Sequence, residues 1–215
     1  LAPTVLTVGG LEMLVPRHFG FCFGVERAIH MAFSGLERHP GRQISLLSEI
    51  IHNPHVNKRM REMGIRFLYP DERAHFDFSL VTPDDVVILP AFGVTIQAFA
   101  DLQAIGCVLV DTTCGSVLLV WKRVEGYARD GFTSVIHGKY THEESRATAS
   151  QVQKHPGAKY LIVKDMEETL LVADYIAKRP GHLTREAFLD RFRNRASEGF
   201  DPDADLERLG VELRR

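Results

Sequence analysis

The sequence predicts an α/β protein of two αβα units with mainly parallel sheets, and three observations carry that expectation. Short β-rich apolar runs recur six times, each followed by a loop of Gly, Pro, Ser, Thr or His and then a segment with helical periodicity. The stretch between successive runs is long enough to hold the crossover helix that a parallel strand pair needs. A chain of 215 residues, 45% hydrophobic and 25% charged, has core-forming material for one large domain or two small ones.

The elements follow in order. Leu11 to Val15 reads as a strand leading through the loop Pro16 to Gly24 into a helix from Val25 to Leu36, with Val25, Ala28, Ile29, Ala32, Phe33 and Leu36 on one stripe. Ile44 to Leu47 leads to Ser48 to Asn53 and a helix opening with Pro54, where the missing N–H has no intrahelical partner to lose. Val86 to Leu89 leads to Pro90 to Thr95 and a helix through Ile96, Phe99, Leu102 and Ile105. Cys107 to Val110 leads to Asp111 to Ser116 and a helix carrying Val117, Val120, Trp121 and Val124. Ser134 to Ile136 leads to His137 to His142 and a helix through Val152; Tyr160 to Val163 leads to a helix from Asp165 to Ala177.

This pattern divides the chain into a first α/β domain over 11–110, a second, incomplete one over 111–179, and a charged insertion or tail over 180–215. That last stretch carries 15 charged residues, with one amphipathic helix around Arg185 to Ala196, and its polarity predicts little buried area of its own. The strand-to-helix loops belong at the carboxyl edges of their sheets, where open α/β folds place ligands.

Charge and cysteine usage exclude several classes. A net charge of −2, from 26 Lys and Arg against 28 Asp and Glu, supplies no basic surplus for nucleic acid. No apolar run approaches the ~20 residues that span a bilayer, and the start lacks a secretory pattern, so the chain reads as an intracellular one. Leu1 in place of Met points to a processed start or an excerpt. Three cysteines at wide spacing, Cys22, Cys107 and Cys114, argue against a disulfide framework and leave room for thiolate chemistry. The phosphate-loop, dinucleotide, C-x-x-C, zinc-protease and nucleophile-elbow patterns are all absent from the sequence.

Two cysteines share one architectural position. Cys22, in Gly20-Phe21-Cys22-Phe23-Gly24, and Cys114, in Asp111-Thr112-Thr113-Cys114-Gly115, each follow a strand and precede a helix. Helix-start N–H groups favour a thiolate there, able to bind metal, hold an iron–sulfur cluster or attack an electrophile. The alternative is that each is a small buried hydrophobe. Cys107 begins the strand leading to Cys114, so the two sulfurs stand on the order of 20 Å apart at ~3.3 Å per residue, and Cys107 reads as core. His52 and His55, and His137 and His142, lie in matching loops, where imidazoles and helix N-termini suit a phosphate. Glu144, two residues after His142, suits either the helix dipole or proton delivery. Thr112, Thr113, Ser145 and Thr148 read as caps and helix contacts.

The ordered motifs Pro16-Arg17, Gly20-Phe21-Cys22-Phe23-Gly24-Val25-Glu26-Arg27-Ala28, Glu49-Ile50-Ile51-His52-Asn53-Pro54-His55-Val56, Asp111-Thr112-Thr113-Cys114 and His137-Gly138-Lys139-Tyr140-Thr141-His142-Glu143-Glu144 resemble those of the 4-hydroxy-3-methylbut-2-enyl diphosphate reductases. The likeness runs from Leu14 to Gly210. It is strongest to the plant and cyanobacterial branch, whose pattern Leu89-Pro90-Ala91-Phe92-Gly93 and Gly199-Phe200-Asp201-Pro202-Asp203 also fit.

The resemblance implies reductive removal of an allylic hydroxyl from a diphosphate, giving isopentenyl and dimethylallyl diphosphates in the methylerythritol phosphate route. It implies a [4Fe-4S] cluster with Cys22 and Cys114 as two of three ligands, His52 and His142 as diphosphate contacts, and Glu144 as the proton-relay acid. It also implies a ferredoxin or flavodoxin-like donor, a bacterial cytoplasmic or plastid stromal setting, and no nucleic-acid or membrane partner. Phe92 stands where the shorter bacterial branch has a further His. The family architecture has three domains, so the chain reads as truncated, without the third domain and its cluster cysteine. On this reading Cys22 and Cys114 converge at a cavity that His52, His142 and Glu144 also line. Two other readings remain at this stage: a non-catalytic remnant or anion-binding α/β module, and a cysteine-dependent transferase or hydrolase.

Overall fold

The computed structural model describes residues 3–17, 20–71 and 74–207. The first sheet contains β3 (Ile44–Leu47), β4 (Arg66–Leu68), β5 (Val86–Leu89) and β6 (Val108–Asp111), all parallel, in the order β4-β3-β5-β6. Helices α1 (Phe23–Arg38), α2 (Pro54–Glu62) and α3 (Ile96–Ile105) flank it. The period-2 alternation of the two central strands splits the core. Ile44, Leu46, Val86 and Ile88 pack with Ala28 and Ala32 of α1 and Met60 of α2, whereas Leu47, Val87 and Leu89 pack with Leu102 of α3 and Cys107. The buried side of α1 is a small-residue stripe, Ala28, Ala32 and Gly35, and Gly35 meets Val110 of β6.

The second sheet pairs β7 (Ser134–His137) with β8 (Tyr160–Val163) in parallel, with α4 (Gly115–Arg129), α5 (Glu143–Val152) and α6 (Met166–Ile176) around it. Helix α5 docks on α3, where Ser150 Oγ accepts the Ile96 N–H at 3.1 Å.

Two expectations change. Leu11–Val15 (β2) does not enter the parallel sheet; it pairs antiparallel with β1 (Thr4–Val8). Gly9 and Gly10, at φ +56° and +83°, satisfy the positive φ that a two-residue type I′ hairpin turn needs, and the local turn sets the pairing.

The described part of the charged segment 180–207 is packed, not a loose tail. Phe188 and Phe192, on α7 (Arg185–Arg191) and its C-cap, join Phe200 and Leu206 in a core with Leu161, Val163, Val172 and Tyr175. Its backbone also covers the free edge of β8: Arg195 O accepts from Ile162 N at 2.8 Å and Ser197 N donates to Tyr160 O at 3.1 Å. The fully buried Glu168 carboxylate ties the segment down, with the guanidinium nitrogens of Arg195 at 2.6 Å and Arg191 at 3.3 Å. The short helix α8 (Pro202–Asp205) closes the segment.

Candidate functional site

Both sheet-edge cysteines become helix N-caps. Cys22 caps α1 and Cys114 caps α4, each with extended backbone and neither sulfur spent on a capping hydrogen bond. The first-turn N–H groups are therefore free to face an anionic sulfur or its ligand. Cys22 is exposed and Cys114 half-buried. Together they line one cavity of about 570 Å³, with Gly24, Arg27, Asp111 and Thr113 among the other lining residues and Met31, Leu118 and Leu119 supplying apolar wall.

The close approach is set by Gly24, because a Cβ there would run into the Cys114 sulfur. The Asp111–Cys114 loop is held rigidly. Asp111 Oδ1 accepts the Thr113 N–H at 2.9 Å and its hydroxyl at 2.5 Å; the buried Thr112 hydroxyl donates to Leu89 O at 2.6 Å; the Cys114 N–H donates to Ala91 O at 3.0 Å. Cys107 stands apart, in the core, with its thiol on Leu102 O at 3.6 Å and its pKa pushed up by burial.

The histidines form a second group. His52 follows β3, and Asn53 caps α2 by accepting the His55 and Val56 N–H groups. His142 caps α5, its Nδ1 accepting the Glu144 N–H at 3.2 Å. The two rings meet with Nε2 atoms 2.8 Å apart, and Phe92, after β5, stacks on His52 at 4.4 Å and meets His142 edge-on at 5.3 Å. The contacts fix the tautomers. Because His142 Nδ1 accepts, its proton sits on Nε2 and is donated to His52 Nε2, which leaves the His52 proton on Nδ1, 3.4 Å from Glu49 Oε2. The pair lies where the strand order reverses between β3 and β5, the switch point at which open α/β sheets hold ligands.

The structure thus brings Cys22 to Cys114 and His52 to His142, but the imidazoles and Glu144 do not line the cysteine cavity. The two groups adjoin through one loop, since Ala91 holds Cys114 and Phe92 stacks on His52. Glu144 is half-buried behind His142, while His55 and His137 are exposed and outside both groups. Sequence reasoning missed Phe92 as an aromatic platform and Glu49 as the partner of His52. The Gly flanking Cys22 was the visible signal for Gly24.

The profile of the LytB protein family matches residues 13–186. The 4-hydroxy-3-methylbut-2-enyl diphosphate reductase of Synechococcus sp. strain CC9902 is 50% identical over 206 residues, covering 96% of this chain and 49% of that protein. The reductase of the same name from Gloeobacter violaceus is 48% identical, covering 94% and 48%. The chain spans about half the length of these relatives. A solved (E)-4-hydroxy-3-methyl-but-2-enyl diphosphate reductase, the terminal enzyme of the non-mevalonate pathway, superposes with TM-score 0.57 at 28% identity, covering 71% of this chain and 50% of its own. The Plasmodium falciparum structure of an E-1-hydroxy-2-methyl-but-2-enyl-4-diphosphate reductase, at 24% identity and TM-score 0.60, shares the fold over 71% of this chain and 44% of its own. Among the described residues no helix is long and apolar enough to cross a membrane.

Proposed function

The chain belongs to the LytB family, and on that premise we propose that it forms part of a 4-hydroxy-3-methylbut-2-enyl diphosphate reductase, acting in the bacterial cytoplasm or the plastid stroma on the methylerythritol phosphate route. The reaction breaks the allylic C–O bond; two electrons and two protons convert the alcohol to a C–H bond and water. The observation that carries the reading is the shared cavity of Cys22 and Cys114, two helix-capping thiols, with the Cys114 sulfur seated where a Cβ on Gly24 would be.

That donor set fits an iron–sulfur group: soft thiolates, uncommitted first-turn N–H groups and a pocket of suitable size. Cys22 and Cys114 would supply two of three cysteine ligands, and Cys107 is not the third, being held in the core behind β6. The group, when bound, passes electrons from a ferredoxin or flavodoxin-like donor to the substrate. His52 and His142 bind the diphosphate. To do so the pair opens, because in its closed form only one of the two facing Nε2 atoms carries a proton. Glu144, at the start of α5 beside His142, delivers protons to the departing hydroxyl.

The test is anaerobic reconstitution of the chain with iron and sulfide. A broad absorbance near ~400 nm is expected for an iron–thiolate chromophore. It should vanish in Cys22→Ser and in Cys114→Ser and survive in Cys107→Ser. A colourless product at every stoichiometry would overturn the assignment of these ligands. Substrate bound but not reduced by the reconstituted chain under dithionite would favour an anion-binding module.

A further inference from the structure

We propose that His52, His142 and Glu143 form a site for a divalent transition metal of the zinc type, separate from the cysteine cavity and exclusive of diphosphate, because the ion takes the two Nε2 atoms that the proposed function gives to the diphosphate. One ring nitrogen of His52, one of His142 and a Glu143 carboxylate oxygen all lie within 4.8 Å of one another, and the two Nε2 atoms stand 2.8 Å apart. Two imidazoles and a carboxylate are the ligand set of open zinc sites, which keep one position for water.

The geometry is close to that of a bound ion. Metal–ligand distances of ~2.0–2.2 Å at a tetrahedral centre separate neighbouring ligand atoms by roughly 3.3 Å. The two Nε2 atoms, at 2.8 Å, therefore part by about half an ångström while the Glu143 carboxylate closes in. In the metal-free pair the proton between the two Nε2 atoms occupies the position the ion would take.

The surroundings favour a cation. His52 presents its Nε2 lone pair because Nδ1–H points to Glu49 Oε2 at 3.4 Å, the carboxylate–histidine–metal arrangement. Glu49, Glu143 and Glu144 bring three carboxylates to these loops. Arg146, three residues after Glu143 on α5, has its Nε engaged on Tyr140 O at 3.2 Å, and Lys139 stands three residues before His142 in the same loop. Phe92 closes one side, stacked on His52.

The proton balance gives a signature. In the tautomers those contacts set, ligation by both Nε2 atoms moves the His142 proton from Nε2 to Nδ1, and the Glu144 N–H loses its cap acceptor. Losing that cap weakens binding about fivefold relative to a site whose second histidine carried Nδ1–H from the outset. Since His52 comes from the loop after β3 and His142 and Glu143 from the loop and helix after β7, the ion pins the first sheet unit to the second.

The probe is Co(II), added to the chain carrying Cys22→Ser and Cys114→Ser so that the thiolates do not compete. One equivalent should bind with visible ligand-field bands, and the His142 side-chain NMR signals of the Zn(II)-loaded chain should switch to the Nδ1–H form. His52→Ala and His142→Ala should abolish binding, Glu143→Gln should weaken it at least tenfold, and Glu49→Gln should cost about 10–100-fold through the His52 ring. Should the double variant fail to fold, the parent chain serves, because thiolate-to-cobalt charge-transfer bands in the near ultraviolet report the cysteines separately. Unsaturable Co(II) binding, unchanged affinity in His52→Ala or Glu143→Gln, or retention of the His142 Nε2–H form would overturn the site. Iron–sulfide reconstitution of the parent chain is read at Cys22 and Cys114, so its failure and the failure of this site are distinguishable.

Discussion

Replacing Gly24 with Ala tests the contact that seats the Cys114 sulfur against the start of α1. Gly24 lies in the first turn of α1, and its φ is not in the positive region, so the backbone accepts Ala. Removing a helical glycine gains roughly 0.5–1 kcal/mol. The new methyl would meet the Cys114 sulfur, whereas the Cys114 Cβ lies 3.8 Å away, an ordinary contact. The sulfur must therefore rotate about χ1 toward the cavity, at a cost of about 0.5–1.5 kcal/mol for a displaced rotamer. The two terms nearly cancel, leaving Gly24→Ala within about 1 kcal/mol of the parent. With Cys114→Ala already in place the sulfur is gone, and the same substitution should stabilise by about 0.5–1 kcal/mol. The coupling between the positions is then about 0.5–1.5 kcal/mol, measurable by urea unfolding of the four chains under reducing conditions. Alkylation of Cys114 should accelerate in Gly24→Ala as the sulfur swings outward. Additivity of the two substitutions within about 0.3 kcal/mol, with an unchanged alkylation rate, would refute the contact.

Phe188→Ala should destabilise the chain by about 3–5 kcal/mol in urea unfolding, because Phe188 is fully buried between Tyr175 and Phe192, each at 4.6 Å; a loss below about 1 kcal/mol would mean that segment 180–207 is not part of the core. Tyr175 is pushed up to about 12, first by burial and then by its hydrogen bond to the Asp203 carboxylate at 2.8 Å, so an absorbance titration at 295 nm should find it ionising well after the exposed tyrosines. A folded value above the ordinary one places the linked stability below about pH 10 and removes it as the pH rises toward about 12, which urea unfolding at about pH 9 and 11 would detect. Asp203→Asn should lower the Tyr175 value only partway, since burial is the larger cause.

The parts of the fold legible in the sequence are those governed by local signals. The fully buried strand β5 is an unbroken apolar run and β3 is one broken only by Ser45, Pro54 marks the start of α2 behind the Asn53 cap, and the cysteine positions follow from a strand, a Gly-flanked loop and a helical stripe. What was hidden depends on tertiary pairing. Strand β4 is three half-buried residues recognisable only by its ladder to β3. The 180–207 segment looked unable to bury area because charge dominated its average, yet Phe188, Phe192, Phe200 and Leu206 are spaced to converge, and Arg191 and Arg195 are committed to the buried Glu168. The partition of thiols and imidazoles was invisible too, since loops at one sheet edge can enter the same cavity or adjacent ones with identical sequence spacing.

That partition makes the loop 90–93 the element on which both groups depend. The Ala91 carbonyl holds the Cys114 N–H, the Phe92 ring holds His52, and Gly93, at φ +75°, leaves space that a Cβ would deny to Trp121 of α4, the helix that Cys114 caps. The thiol-bearing helix and the imidazole pair are therefore registered against the same four residues at the carboxyl end of β5. A shift of this loop moves Cys114 and His52 together, so their separation is set by a short, largely buried stretch of backbone and not by how the side chains themselves pack. Holding the thiol-bearing loop and the imidazole-bearing loop at a fixed separation needs no direct contact between them, because one strand end positions both.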